Sequence, residues 1–332
     1  MFGILRNNRG MALLLTILVI SLITVITLRF NMSMRSSLTS ASNLQDAIAL
    51  DNMAKSAFNT ARAVLSDDAS KSSFDTLHED WANLAAAAPY FSYFFNRGQG
   101  GLEIKDHSGR IQINSLLKRQ GDSWVVNEEQ KKIWLNLLSA EEYGLSEDDS
   151  LAIVEAIIDW LDEDDEPSGF GGAESSYYQV LEKPYEPRNG PMEFIEELLL
   201  VKGVTKELYF GTEEFPGLAD LVTPYGRDGK ININTADPFV LRALSEQIDP
   251  DMVDGLLAYR DNEDNDLSDP GWYKSAAGFP GDITIPPDLL TTSSTFFEID
   301  VDVTLENTRR KARGMVVRDQ VGRMDLLCWK ME

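Results

Sequence analysis

Residues 155–178 read EAIIDWLDEDDEPSGFGGAESSYY, and six of the eight residues from Asp159 to Glu166 are acidic. Carboxylates packed so closely repel and shift one another's titration unless a cation intervenes. The run follows a helical pattern and enters a turn containing Gly169, Gly171 and Gly172, with Glu174 just beyond. No His or Cys stands near it. A donor set of oxygen alone favours a hard cation, and a flexible loop favours Ca²⁺ over Mg²⁺. The candidate ligands are Asp159, Asp162, Asp164, Asp165, Glu166 and Glu174. The pattern is not an EF-hand: counted from Asp162, the sixth position is Pro167 and the twelfth Ala173. A solvated acidic loop is the other reading of such a charge run. A second run, residues 261–266, offers Asp261, Asp264 and Asp266 as a secondary candidate.

Other chemistry has little support. The two histidines, His78 and His107, have no partner pattern for a triad, and Gly121-Asp122-Ser123 lies in a polar turn rather than after a buried strand. A membrane-anchored enzyme would lack its catalytic set, and no catalytic residue is assigned. With 54 acidic against 30 basic residues the formal charge is -24, which repels nucleic acid and favours cations. One cysteine, Cys328, excludes an internal disulfide; its apolar surroundings, Leu326-Leu327-Cys328-Trp329, predict a small buried hydrophobe.

The element that must carry all this is N-terminal. Residues 6–30 read RNNRGMALLLTILVISLITVITLRF. Met11 to Leu28 contains no charge and no proline, and as a helix those residues span ~27 Å, about the hydrocarbon thickness of a bilayer. Arg6 and Arg9 precede it without an acid, so the short N-terminus is expected in the cytoplasm and the body across the membrane. A cleaved secretory signal and a plain uncleaved anchor are alternatives. The small-residue candidate for the former, Ser40-Ala41-Ser42, is remote from the apolar run. Apolar residues then recur at helical spacing (Leu44, Ala47, Ile48, Met53, Ala57, Phe58, Ala61, Val64, Leu65), predicting one continuous helix to about residue 65.

Beyond a polar break at 66–73 and an aromatic cluster at 89–95, strands are predicted at 102–106 and 111–113. Gly109-Arg110-Ile111-Gln112-Ile113-Asn114-Ser115-Leu116 has a counterpart 120 residues later, Gly229-Lys230-Ile231-Asn232-Ile233-Asn234-Thr235-Ala236. Each should precede a helix, capped by Ser115 or Thr235 or the Asn before it, which implies duplicated helical modules. Helices are expected at 128–138, 148–161, 192–201, 239–248 and 250–260. The stretch 194–204 resembles the helix-glycine-hydrophobe pattern of helix-hairpin-helix modules; Glu196, Glu197 and the net charge argue against nucleic acid there. Residues 296–329 alternate as a three-stranded antiparallel meander.

The expected fold class is α+β. A long N-terminal helix packs on a small antiparallel sheet, and a large α-helical insertion interrupts that unit. The expected division is a leader at 1–10, the transmembrane and amphipathic helix at 11–65, a first sheet portion at 66–109, the insertion at 110–288 in two modules (about 110–228 and 229–288), and the C-terminal sheet at 289–332. The insertion is economical because the first helix needs the last strands to bury its stripe.

The basic leader ending at Gly10, directly before the apolar run, resembles a type IV prepilin leader, which a dedicated peptidase cuts after the glycine before methylating the new N-terminus, here Met11. Pilin-like proteins usually carry a glutamate five residues after the cut; here that residue is Leu15. A buried carboxylate needs a partner, and a subunit without it suits a filament tip. With DWLDEDDEPSGFGGAESSYY, YEPRNGPMEFIEELLLVKGV and GKININTADPFVLRAL, these features resemble the general secretion protein K family of type II secretion systems. The resemblance implies a pseudopilin fold interrupted by an α-helical domain with helix-hairpin-helix-like modules of the SAM type, and Ca²⁺ bound in that domain. It implies an inner-membrane protein with a periplasmic body, placed at the pseudopilus tip with minor pseudopilins I and J as partners and H below. A minor pilin of a type IV pilus is the alternative.

Overall fold

The computed structural model describes residues 9–84, 98–306, 308–319 and 321–332. The leader through residue 8 and the aromatic cluster 89–95 therefore lie outside the described residues. Helix α1 (Arg9–Lys71) is unbroken for 63 residues. Its halves differ completely: from Gly10 to Gln45 every side chain is exposed, whereas Leu50, Met53, Ala54, Ala57, Phe58, Ala61 and Leu65 are buried at the three-and-four spacing of one helical face. The packed stripe starts later than Leu44 and Ile48, which stay 63% and 53% exposed. The packed face begins at Leu50, next to Asp51, which is ion-paired to Arg310 of β9 at 3.1 Å. The helix also continues through the expected break at 66–73, to Lys71.

The sheet under α1 has the order β1 (Gln99–Asp106), β8 (Phe296–Leu305), β9 (Thr308–Arg318), β10 (Met324–Met331), antiparallel throughout. Residues of β8 alternate strictly between the core and the outer face, so Phe297, Ile299, Val301, Val303 and Leu305 all point at α1. The strand that precedes the insertion, β1, thus pairs with the first long strand after it, β8, as a helix in need of a floor requires. One apolar core joins α1, Trp81, β1, β8 and β9; a second lies wholly within residues 111–290. Cys328 corrects its expectation: it is exposed on β10, an edge strand, where a bulge between Leu326 and Cys328 changes which side chains face out.

Between the sheet strands, β2 (Ile111–Gln112) is followed by a 3₁₀ turn at Ile113–Ser115 and then by a hairpin, β3 (Leu117–Gln120) and β4 (Ser123–Val126), turning at Gly121 with φ +65°. The helices are α2 (Glu128–Leu138), α3 (Glu147–Leu161), α4 (Ser175–Tyr178), α5 (Lys206–Phe210), α6 (Leu218–Leu221), α7 (Pro238–Ala243) and α8 (Pro250–Arg260). Strand β5 (Val222–Thr223) pairs in parallel with β2, and β6 (Ile231–Asn232) with β7 (Leu290–Thr291). The two repeats therefore open two loops of chain that each close on a short parallel pair.

Three local expectations change. Neither Ser115 nor Thr235 caps a helix: Ser115 Oγ donates to the Gln112 carbonyl and Thr235 Oγ1 to Asp106, while α7 is capped by Asp237. The expected helix at 192–201 is a 3₁₀ segment, Ile195–Leu200, because the amide and carbonyl of Met192 are both taken by the Asn114 side chain. The helix from Phe239 stops at Ala243, whose carbonyl accepts from Asn136 Nδ2.

Candidate metal centre

Helix α3 begins at Ser146, whose hydroxyl accepts from the Asp149 amide, with three acids in its first turn to complement the helix dipole. It buries Ile153, Val154, Ile157, Ile158 and Leu161 in the insertion's core. Glu155 and Asp159, one turn apart, are buried on the same helix. The loop that follows folds back over them. Asp159 Oδ1 accepts from the Ser168 amide (2.9 Å) and Oδ2 from the Ala173 amide (2.6 Å); Glu155 Oε2 accepts from the Gly171 amide (2.7 Å). The glycines are required by that closeness: a Cβ on Gly172 would strike Asp159 Oδ2 and the Ser168 backbone, and Gly169 has φ +58°.

The fold-back brings Asp159, Asp162 and Glu174 together, one oxygen of each lying within 4.8 Å of the others. Asp159 and Glu174 are buried. Among the described residues, Asp162 Oδ1 and both carboxyl oxygens of Glu174 are buried without a hydrogen-bond partner. Burial, then Asp164 and Asp159, push the Asp162 carboxyl up to about 7; burial, then Asp159 and Asp162, push Glu174 up to about 8. Buried, unpaired and mutually repelling carboxylates are costly, and a cation ligated by their free oxygens removes that cost. These residues fit a hard, oxygen-seeking cation.

The other sequence candidates lie apart from this trio. Asp164, Asp165 and Glu166 are exposed; Asp164 Oδ1 accepts from the Glu166 amide and Asp165 Oδ1 from the Ser175 amide, so they shape the loop. In the second run, Asp261 lies 3.5 Å from Arg260 Nε, the Asp264 amide donates to Asn262, and Asp266 accepts from the Ser268 amide. Among the described residues these three join no group of converging carboxylates.

Several supporting residues were not singled out from sequence. Lys202 Nζ donates to the carbonyls of Gly171 and Gly172 at 3.0 and 3.3 Å. Lys202 belongs to the helix-hairpin-helix-like stretch, whose Gly203 (φ +87°) packs on Ile153 of α3. That turn is thus occupied by the chain's own acidic loop. Asn189, held at φ 47°, donates from Nδ2 to the Asp164 carbonyl, and its Oδ1 is buried without a partner. Glu155 was legible as the residue one turn before Asp159; Lys202 and Asn189 are distant in sequence and carried no local signal.

Gly10 and Met11 lie in the first turns of α1 and are exposed, and among the described residues nothing lies within 4 Å of a Cβ placed on Gly10. The helix from Gly10 is long and apolar enough to cross a membrane, and its apolar window is unburied.

Residues 109–213 match the family model described as type II secretion system (T2SS), protein K. The chain is 28% identical to type II secretion system protein K of Pseudomonas aeruginosa over 166 residues, 50% of this chain and 46% of that protein, so the match spans about half of that relative. It is 25% identical to the Aeromonas hydrophila protein K over 342 residues, covering 97% of this chain and 96% of the other. In three dimensions it resembles a chain from the crystal structure of the GspK-GspI-GspJ complex of the enterotoxigenic Escherichia coli type 2 secretion system, with TM-score 0.69 and 20% identity over 88% of this chain and 99% of that one. That likeness bears on the fold: the α+β pseudopilin architecture, a long helix on a small antiparallel sheet.

Proposed function

We propose that this chain, which belongs through residues 109–213 to the type II secretion system protein K family, is a non-enzymatic minor pseudopilin that caps the tip of the secretion pseudopilus. The single observation that carries the reading is the division of α1: an apolar half left exposed by the described residues, continuous with a half whose apolar face is packed on a sheet. The bare half suits a lipid bilayer first and a filament interior afterwards, while the body stays folded throughout. Its anchor holds it in the inner membrane with the body in the periplasm. Prepilin peptidase removes the leader after Gly10, so the mature chain starts at a methylated Met11. Leu15 leaves no carboxylate to pair with a subunit ahead, which suits the first subunit of a filament. The relative of like fold was crystallised in a complex with GspI and GspJ. The corresponding minor pseudopilins I and J are the partners proposed here, with H below. The Asp159, Asp162 and Glu174 group holds Ca²⁺, which fastens the loop to α3 and stabilises the insertion.

Two measurements test this. The intact mass of the protein purified from membranes that contain the peptidase should correspond to a methylated chain starting at Met11; a chain starting at Met1, or after residue 42, removes the pseudopilin reading. Affinity capture from the same membranes should recover I and J; capture of type IV pilus subunits instead would make this a minor pilin.

A further inference from the structure

A second group of carboxylates lies far from the first in sequence, at the joint between the two cores. Asp68 is in the last turn of α1, and Asp75 and Glu79 are in the segment that leaves it; one oxygen from each lies within 4.8 Å of the others. Asp75 is the hub. Its backbone amide donates to the Thr292 carbonyl (2.7 Å), and its carbonyl accepts from the side chains of Asn232 and Asn234. Its Oδ2 accepts from the Ser294 amide and from Arg318. That accounts for every polar atom of Asp75 but one: among the described residues, Oδ1 is buried with no partner in a residue 1% exposed, and Asp68 Oδ2 is likewise buried without a hydrogen bond.

We infer that Asp68, Asp75 and Glu79 form a binding site for a hard divalent cation that locks the end of α1 to the sheet and to the insertion. Arg318 does not already do this work. Its Nε and Nη2 bond the Ser294 carbonyl, its guanidinium lies 5.0 Å over the Phe297 ring, and its Nη1 is 3.8 Å from Asp68. It brings one positive charge to three carboxylates. The nearby Lys71 is exposed and paired with Asp67 at 2.6 Å. Glu79 is held in place through Oε2 by the Thr76 amide and Trp81 Nε1, and Ser72 also reaches its carboxylate. Burial first, then Glu79 and Asp75, push the Asp68 carboxyl up to about 7, the cost of leaving these groups to each other. Oxygen-only donors with no His or Cys fit Ca²⁺ or Mg²⁺, water completing the shell.

The site is independent of the Asp159, Asp162 and Glu174 group, and one experiment separates the two. The full-length chain in detergent is stripped with chelator and titrated calorimetrically with Ca²⁺, and then with Mg²⁺. Four forms are compared: wild type, D162N/E174Q, D68N/E79Q and the form carrying all four substitutions. These substitutions keep shape and remove charge. D162N/E174Q is expected to retain binding of an ion, and adding D68N/E79Q to it abolishes that binding. Excitation of bound Tb³⁺ through Trp81, which touches Glu79, gives a second readout: Trp81→Phe should remove the sensitised emission that D162N/E174Q leaves. The inference is overturned if D162N/E174Q binds neither metal, or if D68N/E79Q binds as many ions as wild type. Should D68N/E79Q fail to fold, the D162N/E174Q titration decides alone. Unchanged binding in D162N/E174Q together with loss in D68N/E79Q would instead overturn the first site and keep this one.

Discussion

Asn114 and Asn234, 120 residues apart, hold the same place in the two repeats and do the same work. Asn114 donates to the carbonyls of Met192 and Pro224 and accepts from the Met192 amide. Asn234 donates to the carbonyls of Asp75 and Leu267 and accepts from Trp272 Nε1. Each sits just after a two-residue strand and pins a distant segment whose backbone would otherwise be buried unpaired.

Asn234→Ala should therefore cost more than an ordinary surface change. It strands the Leu267 carbonyl and the Trp272 indole N–H inside the protein, and leaves the Asp75 carbonyl with Asn232 as its one side-chain donor. A buried unsatisfied group costs ~1–3 kcal/mol, so a loss of about 3 kcal/mol is expected. Asn234→Asp should be comparably harmful, because a carboxylate cannot donate to the two carbonyls. Urea unfolding of the detergent-solubilised chain checks both; a loss below about 1 kcal/mol for either would show that the network is dispensable.

The contact between α1 and the sheet can be tested from either side. The Phe58 ring lies edge-on to Trp329 with centroids 4.5 Å apart, and it covers Gly314 so closely that any Cβ there would strike it. Phe58→Ala should destabilise by about 3–5 kcal/mol through lost burial and the cavity left behind. Gly314→Val should cost roughly 1–3 kcal/mol by overpacking. The double variant should be less unstable than the sum, since removing the ring makes room for the valine; additive losses would contradict the packing described.

His107 supplies a pH dependence of defined sign. It is buried, with Nδ1 3.0 Å from Thr223 Oγ1 and Nε2 without a hydrogen bond, although Glu298 is 3.7 Å away. Burial first, then Arg110, Lys105 and Arg313, hold its pKa well below the usual 6.5. Below 6.5 the unfolded chain takes up a proton that the folded one refuses, so stability is present above that pH and is lost as pH falls toward the folded value. The loss is ~1.4 kcal/mol per pH unit over that window. Several buried carboxylates titrate in the opposite sense, so the comparison with His107→Gln isolates the term. Between pH 6.5 and 5.5 wild type should lose about 1 kcal/mol more than the variant. Equal losses would mean that His107 is protonated in the fold.

The long helix, the meander and the paired repeats were legible because each is a periodic signal: an apolar run of membrane length, strict alternation in 297–305, and an eight-residue pattern occurring twice. The second half of the metal group was less so. Asp159 and Asp162 stand on and beside one helix, but Glu174 joins them only because Gly169, Gly171 and Gly172 let the loop lie against α3. Asp164 and Asp165 look equivalent to Asp162 in sequence, yet backbone amides orient them outward. Cys328 reads as buried from its hydrophobic neighbours and is exposed in the fold, because such neighbours do not reveal that a strand is an edge. Asp75 gave no signal at all, since its partners Ser294 and Arg318 are more than 200 residues away.

Removal of Ca²⁺ is the most direct test of the insertion's stability. A ligand that binds only the folded state stabilises it by RT ln(1 + [L]/Kd), about 2.7 kcal/mol at a hundredfold excess over Kd. For a chain of 332 residues that corresponds to a melting shift of roughly 4 °C. Chelator should therefore lower the melting temperature of wild type, and Ca²⁺ should restore it. Glu174→Gln should behave differently in both states. Its amide keeps the shape but removes one of three repelling charges, so the chelated variant should melt no lower than chelated wild type. With Ca²⁺ it should gain little, having lost a buried ligand oxygen of full charge. Asp159→Asn is the control for the alternative that these residues only shape the loop. Asp159 accepts from the Ser168 and Ala173 amides, and an amide nitrogen cannot replace one of those oxygens. It should lower stability with and without the ion. If Glu174→Gln were destabilising under chelation to the same degree as Asp159→Asn, the buried carboxylates would be structural hydrogen-bond acceptors rather than a cation site.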